Sequence, residues 1–261
     1  MAKKDKNTER NERRDRMERM RREAERAERR RSLVVVAVCV VIALVIGGLT
    51  GWKLYRDNQQ EAEAAGTDLA ALGASAEAAG CQDVVTKGVD LALQEDGTFH
   101  VPEGTRVDYS DSPPAFGLHW PGPAQYERKF YTTDDRPDVE QLVHNEEHGY
   151  TLLWYDQSVA DDADQLQVIE DIAAKFDVGD ASDVESYNEG KFIAAPWTED
   201  DGAAFPDGTH IAFTRWALKG DDAVENKGEG AWQYCEQPSG EALAAFMDEF
   251  PESNSPEPNG A

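Results

Sequence analysis

Residues Leu33 to Trp52, LVVVAVCVVIALVIGGLTGW, run for 20 positions without a charge or a proline. As a helix rising about 1.5 Å per residue, this run spans the roughly 30 Å hydrocarbon core of a bilayer. A cleaved signal peptide fits less well. The basic region before it is too long, the apolar run is too long, and no A-x-A site follows. An uncleaved signal anchor over 33–52 is therefore expected. Arg29, Arg30 and Arg31 abut its start, which places that end in the cytoplasm. Trp52 and Tyr55 then fall at the outer interface, where amphipathic rings prefer to lie. The expected protein is a single-pass cell-membrane protein whose C-terminal part is extracytoplasmic.

Charge divides along the same line. Residues 1–32 carry 14 Lys+Arg against 8 Asp+Glu, a balance of +6. With a net charge of −26 for the whole, the remainder carries −32. The basic stretch alternates Arg and Glu with no apolar face, as a solvated cytoplasmic tail does. Its contact is with membrane lipid, through the anchor and anionic headgroups. The acidic remainder repels phosphate, so nucleic acid is not an expected partner.

Three cysteines are present, and Cys39 lies inside the apolar run. Cys81 and Cys235 remain, an even pair on the side expected to be oxidising, and read as a disulfide. Residues 53–80, rich in Ala, Glu and Gln, read as a stalk. Residues 81–250 are enough for one core. Residues 251–261, PESNSPEPNGA, read as a disordered tail.

Within 81–250, five short runs read as strands: Val89–Leu93, Arg106–Ser110, Tyr150–Tyr155, Lys191–Trp197 and His210–Leu218. Three helices interleave with them. One covers RPDVEQLVHNEEH, with Asp135 as cap and Gly149 as its stop. A second covers about Asp162 to Phe176. A third covers about Gly240 to Phe250, capped by Ser239. Strict βαβ alternation is absent, so the fold class is α+β with a single mixed sheet. Five tryptophans, Trp120, Trp154, Trp197, Trp216 and Trp232, belong to the core or to an aromatic rim.

The chain has five histidines, and two stand in LVHNEEHGYTLLWY, Leu142 to Tyr155. On a helix, Glu140, His144, Glu147 and His148 share a face. Imidazoles at i and i+4 reach one metal ion. His119, in the rigid loop SPPAFGLHW, is the best third ligand; His100 and His210 are weaker. Neutral imidazoles suit copper or zinc, and the outer part has a single methionine, Met247, so no Met-rich copper chain exists. Glu147 or Glu140 serves as a fourth ligand or as an acceptor fixing a tautomer. HNEEH is also formally H-x-x-E-H, in which Glu147 activates a zinc-bound water. That zinc-hydrolase alternative needs a downstream ligand, and Glu170 is the nearest. No G-x-S-x-G and no phosphate loop occur.

PPAFGLHW, GPAQY, LVHNEEHGYTLLWY, IAAPW and IAFTRWA together resemble an actinobacterial family catalogued as domain of unknown function 3105, over about residues 80–250. The resemblance implies a membrane anchor and no established activity. Its pattern has histidines matching His119, His144 and His148, a Glu matching Glu147 and a Gly matching Gly149. Where the family tends to carry Ser-Gly before the first histidine, this chain has Phe116-Gly117. The resemblance favours His119, His144 and His148 as the set. The leading expectation is an envelope metal-binding domain rather than an enzyme. A hydrolase, or an interaction domain with structural histidines, are the alternatives; no protein partner is indicated.

Overall fold

A computed structural model of the chain describes residues 10–14, 16–22, 40–49, 51–52, 66–90, 94, 97–178, 184–218 and 228–260. The chain forms two compact units, residues 1–59 and 60–261. In the first, the described residues are helical and exposed. Arg22 pairs with Glu18 at i,i+4, 2.9 Å apart, a contact worth a few tenths of a kcal/mol, about 0.3–0.5. Among the described residues, no helix is long and apolar enough to cross a membrane. Residues 33–39 and 50 of the apolar run, and 53–65 of the expected stalk, lie outside them.

The second unit is built on one mixed sheet of five strands: β1 Val85–Gly88, β2 Thr151–Tyr155, β3 Phe192–Pro196, β4 Ile211–Ala217 and β5 Glu229–Cys235. The order is β1-β5-β4-β2-β3. Only β2 and β3 run parallel. Every residue of β2, β3 and β4 is buried. This is why they read as continuous apolar runs rather than as alternation. Successive side chains still point to opposite faces. Leu153, Tyr155, Ala194 and Phe213 enter one core. Leu152, Trp154, Ile193, Ala212 and Trp216 enter the other.

Helices are α1 Val139–Glu147, α2 Gln157–Ala160, α3 Ala163–Ala174, α4 Val184–Glu189 and α5 Gly240–Glu249. The first core is closed by Ile169 and Ile172 of α3 and by Leu243 and Phe246 of α5. The second is closed by Val139, Leu142 and Val143 of α1. The α+β class and single mixed sheet agree with the expectation. Five helices replace three, because α2 and α4 are too short to show a period. Ser239 caps as expected, accepting from Ala242 N, and Asp162 caps α3, accepting from Asp164 N and Gln165 N. The four tryptophans Trp154, Trp197, Trp216 and Trp232 are core residues.

Several expectations need correction. Arg106–Ser110 is a loop, because its groups serve neighbours rather than a ladder: Val107 N donates to Glu140 Oε1, and Tyr109 Oη to Leu118 O. The first strand lies at 85–88, upstream of Val89; residues 91–93 are outside those described. Asp135 caps no helix. Its carboxylate instead takes Thr132 N and Oγ1, so α1 starts only at Val139. The domain begins before Cys81. Leu72 and Ala79 are buried, and Ala76 N donates to Glu241 Oε2. The tail is folded too. Ser255 is buried, Leu218 N donates to Asn254 O, and Glu257 N donates to Glu147 O. Its Pro, Ser and Asn residues make turns and hydrogen bonds instead of apolar burial. The sulfurs of Cys81 and Cys235 stand 2.06 Å apart, at bonding distance.

Gly149 ends α1 with φ +90°. Tyr150 N reaches Asn145 O and Gly149 N reaches Glu146 O, the paired bonds of a Schellman stop. A Cβ there would sit 2.6 Å from Glu252 O, so the tail also needs this glycine. The stop fixes where α1 ends, and therefore where its last-turn side chains point.

Candidate metal centre

Helix α1 is buried on nearly every side, although two thirds of it is polar. Each polar group has a separate task. Glu140 holds Val107 N at 2.7 Å. Asn145 pins the loop after His119, accepting from Ala124 N and donating to Ala124 O. His144 and Glu147, three positions apart, project together.

His119 and His100 arrive from outside the helix. His119 N donates to Phe99 O and Val101 N to His119 O, an isolated parallel bridge that sets the two histidines side by side. The ring centroids of His100, His119 and His144 lie 4.8 to 5.1 Å apart. One ligand atom from each, with one from Glu147, all fall within 4.8 Å of one another. The Trp216 ring meets His119 edge-on at 6.1 Å, so the floor of the cluster is apolar. The His100 side chain, 29% exposed, is the open side.

The outer nitrogens fix the inner ones. His119 Nδ1 lies 2.8 Å from Gly117 O, and His144 Nδ1 2.6 Å from Trp120 O. Carbonyl oxygens only accept, so both Nδ1 atoms carry protons and both Nε2 atoms face the cluster. For His144 this is consistent, since its Nε2 accepts from His148 Nε2 at 3.1 Å. His119 is different. Its Nε2 faces Glu147 Oε2 at 3.0 Å, a second acceptor. The pair therefore requires an additional cation there, either a proton or a metal ion.

Electrostatics agree. Burial, with His119 and His148 beside it, pushes the His144 imidazole down to about 4, so it is neutral at pH 7. Burial pushes the Glu147 carboxyl up, but the His119 hydrogen bond and the neighbouring rings outweigh it. The net shift is below the ordinary range. The centre thus holds a neutral imidazole and an ionised carboxylate, the forms that bind metals.

Of the sequence-derived set, His119, His144 and Glu147 converge. His148 stands next to them, between His144 and Glu257 Oε2, the latter at 3.5 Å. His100 joins instead. Its sequence surroundings gave no sign of this, because a long-range bridge brings it in. His210 pairs with Asp156 and Ser158 at the start of α2 and belongs to neither group. Glu170 is exposed on α3, which covers the opposite face of the sheet.

The first glutamate of HNEEH points the other way. Glu146 is fully buried, and neither oxygen meets a donor at hydrogen-bonding distance among the described residues. Burial drives its carboxyl well above the ordinary range, against the smaller pull of the Thr214 hydroxyl and the Arg215 guanidinium. An acid whose folded pKa is raised favours folding at low pH. That stability is lost as pH rises from the unfolded value near 4.5 toward the folded one. Glu146→Gln removes the titration. Urea unfolding is expected to show the variant gaining on the wild type as pH rises above the unfolded carboxyl value. A difference independent of pH would contradict a neutral Glu146.

An α+β domain with a buried histidine–carboxylate cluster at a helix end is the class defined by this fold and site. The chain belongs to the family described as Protein of unknown function (DUF3105), which matches residues 100–261. The match begins at His100 and runs through the tail, so it contains every residue of the cluster. No curated protein and no solved structure matches the chain.

Proposed function

We propose that this is a membrane-anchored, extracytoplasmic protein that binds a transition-metal ion, copper or zinc, and handles or delivers it at the envelope of an actinobacterium. The ligands are His100, His119, His144 and Glu147, with His100 taking the place that sequence gave to His148. One observation carries the reading: His119 lies between two acceptors, Gly117 O and Glu147, in a cluster whose ligand atoms fall within 4.8 Å. Backbone carbonyls holding Nδ1 are the usual support of imidazole ligands. The apolar run after three arginines supports the anchor, and the cysteine pair at bonding distance supports an oxidising compartment. The hydrolase alternative loses ground. Glu147 Oε2 faces His119 Nε2 directly at 3.0 Å, and Glu170, the nearest downstream ligand that reading needs, is on the other face of the sheet.

The test is metal content. The purified full chain, stripped with chelator and dialysed against zinc(II) or copper(II), is expected to retain at least one equivalent after gel filtration. His100→Ala and His144→Ala should each weaken retention by about 10- to 100-fold or more. A wild-type chain that retains no metal leaves only the structural role for the histidines.

A further inference from the structure

A second group of ligands adjoins the first, and its interpretation rests on the metal-binding reading above. His148, Glu257 and Glu147 each offer one atom within 4.8 Å of the others. Three atoms bound tetrahedrally to one zinc- or copper-sized ion at about 2.1 Å stand about 3.4 Å from one another. His148 Nε2 and Glu257 Oε2, 3.5 Å apart, already match that spacing, and the Glu147 oxygen has at most about 1.4 Å to close. Glu147 is common to both groups, and its Oε2 already faces His119. A shared carboxylate is the normal bridge of paired sites whose ions lie about 3.5–4 Å apart.

The tail is held in place for this. Glu257 N donates to Glu147 O at 2.9 Å. Lys191 Nζ donates to His148 O and to Pro258 O, tying the helix end to the tail with one ammonium. Gly260 lies so close to the His148 ring that a Cβ would come within 2.5 Å of its Nε2. These contacts face Glu257 toward His148 and toward a second carboxylate. Two like charges at this range repel, and a divalent ion between them reverses the sign.

We propose that the domain holds two transition-metal ions, the second bound by His148 and by Glu257 of the C-terminal tail, with Glu147 bridging to the first. The second position is the open one: the Glu257 side chain is 53% exposed, whereas the His119 and Glu147 side chains are buried. It is the exchangeable ion, and the tail glutamate is where metal enters or leaves.

Zinc(II) titration of the full chain, with metal analysis after gel filtration, is expected to give two equivalents. Glu257→Gln, an exposed substitution that leaves the backbone contacts intact, should keep one. Loading with copper(II) should give a half-field electron paramagnetic resonance signal from two coupled ions, absent in Glu257→Gln. One equivalent in the wild type, or two in Glu257→Gln, overturns the second position while leaving the first standing. No metal in either chain overturns both.

Discussion

Zinc(II) added to the chelator-stripped chain at pH 7 is expected to raise its unfolding free energy by about 4 kcal/mol when free ion exceeds Kd by about 1,000-fold. For a domain of this size that is roughly 10 °C in midpoint. The gain arises because the ligands are assembled only when folded. His100 and His119 are brought together by a long-range bridge, and His144 and Glu147 by a helix. An unfolded chain offers no such convergence, so binding free energy becomes folding free energy. His144→Ala is expected to abolish most of the gain while the stripped variant still unfolds cooperatively. Acid acts on the fold itself. In the stripped chain His144 is held at about 4, below the 6.5 of an unfolded imidazole. A base whose folded pKa is lowered costs stability as pH falls from 6.5 toward 4, since only the unfolded chain takes the proton. The loaded chain, in which His144 is also unprotonated, bears the same cost, so both midpoints should fall together on acidification from pH 7 to pH 5. Differential scanning calorimetry with and without zinc measures both. An unchanged midpoint at pH 7 would remove the metal-binding reading.

What sequence made visible here was whatever depends on local spacing. The imidazoles at i and i+4, the Gly149 stop, the Ser239 cap and the three buried central strands follow from chemistry within a few residues of each other. Each turn of α1 advances side chains by about 100° per residue, so the adjacent Glu146 and Glu147 had to face different ways. That divergence separates a buried acid from the carboxylate that faces His119. His100 was hidden for the opposite reason. Its place depends on a bridge to a segment 19 residues away, and no periodicity announces it. The tail misled through composition. PESNSPEPNGA is poor in apolar side chains, and disorder is the usual consequence. Here the chain is held by backbone hydrogen bonds, the Lys191 ammonium and the space left by Gly149 and Gly260. Asp135 failed as a cap because the turn at Thr132 took its carboxylate first.

Removing the Cys81–Cys235 link is expected to be the most damaging change outside the metal centre. The cysteines are 154 residues apart in sequence. Closing so long a loop restricts the unfolded chain by roughly 5 kcal/mol in the loop-entropy description, with about 2–5 kcal/mol found in practice. The folded state has little reason to change when the link is cut. Gln82 N already donates to Tyr234 O, Glu236 N to Ala79 O, and β1 pairs with β5 from Val85 to Gly88. Cys235 lies in the core, packed with Leu243 and Phe246. The loss should therefore appear through the unfolded state. The Cys81→Ala, Cys235→Ala double variant should show a lower urea midpoint together with a steeper dependence on urea, because an unlinked chain exposes more surface when it unfolds. Its zinc stoichiometry at low urea should match the wild type, since both cysteines belong to the core on the opposite face of the sheet from Trp216, against which His119 packs. The unfolding curve of the wild type should move to that of the variant when a thiol reductant is present during unfolding. Coincident curves for the oxidised wild type and the variant would mean that the two sulfurs are not joined in the protein, and the oxidising compartment assigned to the domain would lose its support.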